Sequence, residues 1–179
     1  MKLKPKFLTA NMAKSAVDFV HGVVSGIMPA GFSPKRKACH IVVLVPEMEA
    51  TAQGASPQVQ IIYKYPDYPV RPIVLFEKSF GDKKKEWTAD YADIARCKAF
   101  KLWHGHNDGR TDILPHLMYH GDCPFWGGVK RDGIVVACSG VEPWFDRMIA
   151  GMVADMLVAG AYHAWMKSDD KKFDRDNLS

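Results

Sequence analysis

The stretch FWGGVKRDGIVVACSG, residues 125–140, decides the fold of this chain. Two apolar runs flank Asp132 and Gly133. An Asp-Gly pair between apolar runs is a strong signal for a β-hairpin, because both residues accept the positive φ angles of a two-residue turn. We therefore expect two antiparallel strands here, with residues 134–138 in the middle of a sheet.

Two earlier segments predict further strands. Residues 39–47, CHIVVLVPE, carry a run of aliphatic residues between polar ones, which is typical of a buried strand. Residues 72–80, PIVLFEKSF, are followed by a Gly-Asp turn and form a second candidate. We expect residues 41–45 and 73–76 to join the middle of the sheet. An insertion, residues 48–71, separates these strands; it is rich in Ala, Gly, Pro and Tyr, and its segment VQIIYKY is a candidate edge strand.

Three segments show helical spacing. The first, residues 11–28, repeats valine along one stripe. The second begins near Thr88, a suitable N-cap, and ends around residues 103–105. The third begins at Pro143, and a short helical turn is expected over residues 113–119. Helices that pack on a hairpin-joined antiparallel sheet define an α+β fold.

The composition predicts one globular domain over residues 1–179, with a charged tail, residues 167–179, that we expect to be disordered. The net charge of +4 is modest, and the basic clusters at 35–37 and 83–85 are typical of solvated surfaces, so we expect no nucleic-acid partner. No segment approaches the ~20 apolar residues of a membrane span, and the first residues lack the apolar run of a signal peptide. Four cysteines without CxxC spacing do not indicate a disulfide scaffold. We therefore expect a cytoplasmic protein with reduced thiols and no membrane partner.

Residues 89–112, ADYADIARCKAFKLWHGHNDGRTD, begin as a helix and end in a loop rich in ligand-binding groups. His104 and His106 stand out there, since an imidazole nitrogen is a common axial donor to haem iron. An exposed helix end is the alternative explanation, because imidazolium suits the negative end of the helix dipole. The residues alone leave both interpretations open.

Several motifs, taken in chain order, resemble the GlcG/HbpS family, the haem-degrading domain also found at the C-terminus of PduO-type proteins. The segment IARCKA, residues 94–99, corresponds to the family's IARxKA helix motif. Residues 127–129 and 132–136 correspond to its hairpin, and Asp146 stands where its last helix carries an acidic residue. The resemblance covers roughly residues 39–156.

The chain departs from the family pattern at two places. The insertion at 48–71 replaces the tight turn of the first hairpin, and ACSGVE, residues 137–142, replaces the family's glycine-rich GAIGVSG. The resemblance implies a profilin-like α/β layer, a GlcG-like antiparallel sheet with packed helices, assembly into symmetric homo-oligomers, and binding of haem or a related tetrapyrrole.

The resemblance also implies where the ligand would bind. In haem-binding relatives, the loop after the IARxKA helix approaches the tetrapyrrole, with a threonine near the iron; Thr111 corresponds to it here. Arg96, Lys98 and Arg110 are candidates to pair with the haem propionates, since a guanidinium can bond two oxygens at once. The alternative for Arg96 and Lys98 is the polar flank of a packed helix that holds an acidic neighbour.

A histidine pair is a second, weaker candidate site. If the turn after residue 113 is helical, His116 and His120 lie on one face, as a metal pair requires. No third ligand is obvious, and a structural role at the surface or in a subunit contact is the alternative.

Three functions follow as expectations. The first is a haem- or tetrapyrrole-binding protein that binds, stores or slowly degrades its ligand, which the histidine-rich loop favours. The second is a non-enzymatic oligomeric scaffold or adaptor, favoured by the tyrosines of the insertion. The third is a small-molecule enzyme of glycolate or diol metabolism. Whether the chain is an enzyme stays open, and a homo-oligomer is expected in each case.

Overall fold

The computed structural model describes residues 2–26, 34–49, 70–106, 120 and 123–169. Within these residues the elements are, in chain order, β1 (Lys2–Leu3), α1 (Ala10–Gly26), β2 (Cys39–Glu49), β3 (Val70–Phe80), α2 (Tyr91–Trp103), β4 (Gly128–Arg131), β5 (Ile134–Ser139) and α3 (Pro143–Lys167). The candidate edge strand VQIIYKY and the helical turn expected near residue 113 lie outside the described residues.

Every strand pairing among the described residues is antiparallel, as the hairpin motif predicts. β2 is central: it pairs with β3 along almost its whole length on one side and with β5 on the other. β5 pairs in turn with β4, while β1 pairs only with the end of β2. The strand order is therefore β3-β2-β5-β4, with β3 and β4 at the edges of the described sheet. The α+β class is confirmed.

The turn between β4 and β5 has the predicted geometry. Asp132 has φ 48° and Gly133 has φ 81°, the two positive values that a type I′ turn requires. Arg131 pairs with Ile134 directly beside the turn. The hairpin prediction is confirmed.

The sheet separates two hydrophobic cores. Ile41 and Val43 belong to the core shared with α1 and α3, whereas Val42 and Leu44 belong to the core shared with α2. Side chains alternate between the faces of a strand, so a strand covered on both faces is apolar at every position. Residues 41–45 are accordingly 0% exposed. Each such aliphatic side chain contributes about 1.5–3 kcal/mol by leaving water. The result is three layers: α1 with α3, the sheet, and α2.

The end of β2 and the start of β3 differ from the predicted boundaries, because the pairing of these two strands extends beyond their apolar runs. β2 continues to Glu49, and β3 begins at Val70, where it still pairs with Met48. The insertion predicted at 48–71 therefore narrows to residues 50–69, which lie outside the described part of the chain.

The N-cap of α2 is Asp90, not Thr88 as predicted. The Asp90 carboxylate accepts the backbone N–H groups of Ala92 (3.0 Å) and Asp93 (3.1 Å). The Thr88 hydroxyl instead bonds the Tyr91 hydroxyl at 2.9 Å. An aspartate two residues from a threonine competes for the same N-terminal N–H groups, and here the carboxylate wins.

α3 begins at Pro143, as predicted, and runs into the expected tail as far as Lys167. It is long and apolar enough to cross a membrane by length and composition alone, although only 33% of its most apolar window is buried in the protein. Ile149, Val153 and Leu157 pack into the core with α1, so the same helix serves the fold as a core helix.

Candidate functional site

The end of α2 is fixed by its backbone. Gly105, at φ 80°, donates to the Leu102 carbonyl (3.1 Å), and His106 donates to the Lys101 carbonyl (2.9 Å). These two bonds form a Schellman motif, which satisfies carbonyls that a helix end otherwise leaves without partners. His104 is the C-cap and is exposed, while His106 is half-buried. A glycine-dependent turn thus fixes the backbone that carries the two histidines predicted as iron ligands.

A second segment, residues 123–126, lies alongside α2. The Lys101 ammonium donates to the Cys123 carbonyl at 3.0 Å. The Cys123 backbone N–H donates to the Cys97 sulfur at 3.1 Å. Cys97 and Lys101 are four residues apart and lie on the same side of α2. Their two contacts with Cys123 therefore hold this segment along the last two turns of the helix.

Exposed phenylalanines lie on α2 and on the segment beside it. Phe100, one turn before His104, is 41% exposed, and Phe125 is 48% exposed. The Lys130 ammonium donates to the Trp103 carbonyl at 2.8 Å and lies 5.5 Å from the centroid of its ring. We call Phe100, His104 and Phe125 the α2-end surface. It combines flat apolar groups with an imidazole and a nearby cation.

Lys98 lies elsewhere, in the core. Its ammonium donates to the Asp146 carboxylate and to the Cys138 carbonyl, both at 2.9 Å. The side chains of Lys98 and Asp146 are each only 3% exposed. Burial raises the pKa of Asp146, and the charge of Lys98 opposes that rise. The Val141 backbone N–H also donates to Asp146, at 3.1 Å. A propionate would have to displace this carboxylate to reach Lys98, so the proposed propionate role does not follow from its position.

Gly127 makes room for this ion pair. Its φ is 127°, and a Cβ atom there would lie 2.5 Å from the Asp146 Cβ and 3.2 Å from the Lys98 ammonium. Only glycine combines that backbone angle with that space. The first glycine of the pair at 127–128 is therefore explained by the approach of α2 to the start of α3.

Arg96 is likewise engaged within the protein. Its guanidinium forms two bonds to the Glu77 carboxylate, at 2.9 and 2.7 Å, and a third to Asp93 at 3.1 Å. These contacts lower the pKa of Glu77 and raise that of Arg96. Both side chains hold an acidic neighbour, as the alternative expects, but Arg96 does so on the half-exposed flank of α2 and Lys98 in the core; the propionate roles of both stay predictions. The sequence did contain a signal for the internal partner of Lys98. This lysine lies on the buried stripe of α2, where an unpaired ammonium is costly, so a buried carboxylate beside it was to be expected.

A histidine that the sequence did not single out lies beside Glu77. The His40 Nδ1 is 2.9 Å from the Ser79 hydroxyl, and its Nε2 is 3.5 Å from Glu77. The order serine, histidine, glutamate is that of a nucleophilic triad. Here, however, the glutamate is bonded on both oxygens by Arg96, and the His40 Nε2 lacks a hydrogen bond. Burial lowers the pKa of His40, so the cluster holds a neutral imidazole in the sheet.

Three of the predicted site residues, Arg110, Thr111 and His116, fall in the stretch 107–119, outside the described residues. His120 is described and is exposed in a turn. Among the residues that the structure describes, no group of three or more His, Cys, Asp or Glu side chains is arranged to hold a metal ion.

Comparisons with known proteins identify no relative of this chain. No protein family, no curated protein and no solved structure matches the chain. The candidate site therefore has to be judged from its own residues.

Proposed function

We propose that the protein is a distant member of the GlcG/HbpS family that binds haem or a related tetrapyrrole in the cytoplasm, at the end of α2. The observation that carries the proposal is the α2-end surface: an exposed imidazole, His104, one helical turn from exposed Phe100, with exposed Phe125 in the segment that lies alongside α2. A tetrapyrrole is a flat apolar ring with a metal that takes imidazole donors. The four free thiols agree with a reducing compartment.

The residues present fit part of such a ligand. His104 and His106 supply donors, and the two phenylalanines supply apolar contact. The propionates need cations, and Arg96 and Lys98 are occupied by Glu77 and Asp146. Lys130, whose ammonium has three donors and uses one on Trp103, is a described cation at this end of α2 that suits the role.

Titration of the purified protein with haemin tests the proposal. We expect a sharpened, red-shifted Soret band that saturates at a fixed ratio per subunit, because imidazole ligation changes the electronic state of the iron. Replacing His104 and His106 together by alanine should abolish that shift. His163, exposed on α3 far along the chain, is the matched control, and its alanine variant should behave as wild type. A wild-type spectrum identical to that of free haemin contradicts the proposal.

A second candidate is the oligomeric scaffold, and one observation favours it. An open apolar depression of about 350 Å³ is lined by Phe7, Ala161, Tyr162 and Trp165 where the end of α3 meets the segment before α1. Tyr162 is 66% exposed there. Exposed aromatic residues are typical of protein interfaces, and a second copy of the chain is the occupant that the expected homo-oligomer would supply.

Light scattering on wild type and on the Tyr162→Ser variant tests whether this depression is an interface between copies of the chain. A homo-oligomer that falls to the mass of one chain, 20.0 kDa, on this substitution supports the interface. A monomeric wild type at micromolar concentration contradicts it.

A further inference from the structure

The two cysteines beside α2 form a pair that the proposed function does not use. Cys97 lies on α2 and is half-buried, and Cys123 is buried against the same helix. The Cys123 N–H bonds the Cys97 sulfur at 3.1 Å. The Cys123 sulfur lies 3.9 Å from the Ile94 carbonyl, one helical turn before Cys97. Both the backbone and the thiol of Cys123 are thus within contact distance of the turn that carries Cys97.

The two thiols also interact with one another directly. Burial raises the pKa of Cys123 to about 11, and the contact with the Cys97 thiol adds to that increase. The Lys101 ammonium, which bonds the Cys123 carbonyl, acts in the opposite direction on the same thiol. The effect of burial is the larger one, so the Cys123 thiol keeps its proton near neutral pH and is not the group that attacks a reagent first.

We propose that Cys97 and Cys123 are a reversible redox site, in which a low-molecular-weight disulfide such as oxidised glutathione converts the two thiols into one intramolecular disulfide. This inference rests on the thiol geometry and not on haem binding. Cys97 is the more exposed of the two and receives the reagent; Cys123 completes the bond.

The chemistry balances in two exchanges. The Cys97 thiol loses its proton, and the thiolate attacks the small disulfide, which gives a mixed disulfide and releases one glutathione thiolate. Cys123 then loses its proton and attacks the Cys97 sulfur, which releases the second glutathione thiolate. Two protein thiols are oxidised, and one glutathione disulfide is reduced to two glutathione molecules.

The product would change how the chain is held beside α2. Cys97 and Cys123 are 26 positions apart, and a disulfide between them closes that span into a loop. Residues 123–126, now fastened to α2 by hydrogen bonds, would become covalently fastened. Closing a loop restricts the unfolded chain, so the oxidised protein should be the more stable form.

Cys39 and Cys138 provide an internal comparison. They also contact one another, and that contact adds to the increase that burial causes in the pKa of Cys138. Both are 1% exposed or less, inside the core of α1 and α3. A reagent as large as glutathione should not reach them while the protein is folded.

The test is disulfide mapping of the reduced full chain after exposure to oxidised glutathione. Remaining thiols are alkylated in denaturant, and the digest is analysed without reduction. We expect a loss of about 2 Da before alkylation, a cross-linked peptide joining Cys97 to Cys123, and alkylated Cys39 and Cys138. Dithiothreitol should restore four alkylated cysteines, and the oxidised form should melt at a higher temperature. Four alkylated cysteines after oxidation, or a link between Cys39 and Cys138, would overturn the proposal.

Variants identify the order of the two steps. Cys123→Ser should trap glutathione on Cys97 as a stable mixed disulfide, whereas Cys97→Ser should take up none on Cys123. Cys138→Ser is the matched control and should still form the link between Cys97 and Cys123. Absence of the adduct in Cys123→Ser contradicts the assigned order, and a wild type that stops at the mixed disulfide contradicts the pair.

Discussion

Replacing Lys98 by methionine is the sharpest test of how the layers are joined. Lys98 extends from α2, on one face of the sheet, to Asp146 in the first turn of α3, which packs on the other face. Methionine keeps much of the length of the side chain and removes its charge. The buried Asp146 carboxylate would then keep its bond from the Val141 N–H but have no cation beside it.

The expected loss is large because a buried charge remains without its partner. Removing one member of a buried ion pair costs about 3–5 kcal/mol. Exposed pairs are worth about 0.2–1 kcal/mol. The matched control is Lys14→Met, which removes the 2.7 Å contact with Asp18 from a lysine that is 59% exposed on α1.

The loss should also depend on pH. The pKa of Asp146 is already raised by burial, and without Lys98 it should rise further. The folded variant then binds a proton at a higher pH than the unfolded chain does, so acidification stabilises it. The difference in free energy of unfolding between wild type and Lys98→Met should therefore shrink as the pH falls from neutral.

Urea unfolding followed by circular dichroism measures these differences. Adding Asp146→Asn to Lys98→Met removes the second charge while an amide oxygen can still accept the Val141 N–H, so much of the lost stability should return. The reasoning fails if Lys98→Met costs less than about 1 kcal/mol near neutral pH, or if its cost is the same in acid.

Three further substitutions give contrasting outcomes. Gly127→Ala should destabilise the protein by about 2 kcal/mol or more, because the new Cβ would lie 2.5 Å from the Asp146 Cβ. Gly22→Ala, which adds a methyl group to α1 where there is open space, should instead stabilise the protein by about 0.5–1 kcal/mol. Equal melting temperatures for the two variants would refute this. Because the pKa of His40 is lowered in the folded protein, the unfolded chain takes up a proton at a higher pH, so the free energy of unfolding should fall as the pH drops below 6.5. His40→Gln should make the free energy of unfolding depend less on pH in this range. The same pH dependence in wild type and variant, measured by urea unfolding, would count against the prediction. Arg96→Met should lower the free energy of unfolding by no more than about 1 kcal/mol, since its ion pair with Glu77 is half-exposed. A loss above about 2 kcal/mol in urea unfolding would contradict the assignment of this pair as a surface ion pair.

The fold was largely predictable because its signals are local. The Asp-Gly turn fixes the β4–β5 hairpin, and the apolar run at 41–45 fixes a strand buried on both faces. The distribution of helices over the two faces was not predictable from these signals. It depends on which side of the sheet each helix crosses, and no local pattern near α2 encodes that choice.

The candidate site was less predictable, because the partner of a charged side chain can be distant in sequence. Lys98 and Asp146 are 48 positions apart, and Arg96 and Glu77 are 19 apart. From the helix motif alone, both Arg96 and Lys98 could bind a ligand; the structure is needed to show that each is paired with a carboxylate of the protein. The backbone at His104 and His106 was easier, since the glycine between them predicts the turn that ends α2; their role as iron ligands stays a prediction.

The long edge of the sheet has a consequence for the behaviour of the protein in concentrated solution. β3 has 11 residues and, among the described strands, pairs only with β2. A strand with an unpaired side is a template for a neighbouring molecule, and proline and lysine on that strand discourage such growth. Pro72 and Lys78 lie in β3, and Lys78 is held by Asp18 of α1 at 2.7 Å. Replacing both by valine removes the proline and the charge that discourage strand pairing, so the variant should polymerise through its own sheet more readily than wild type.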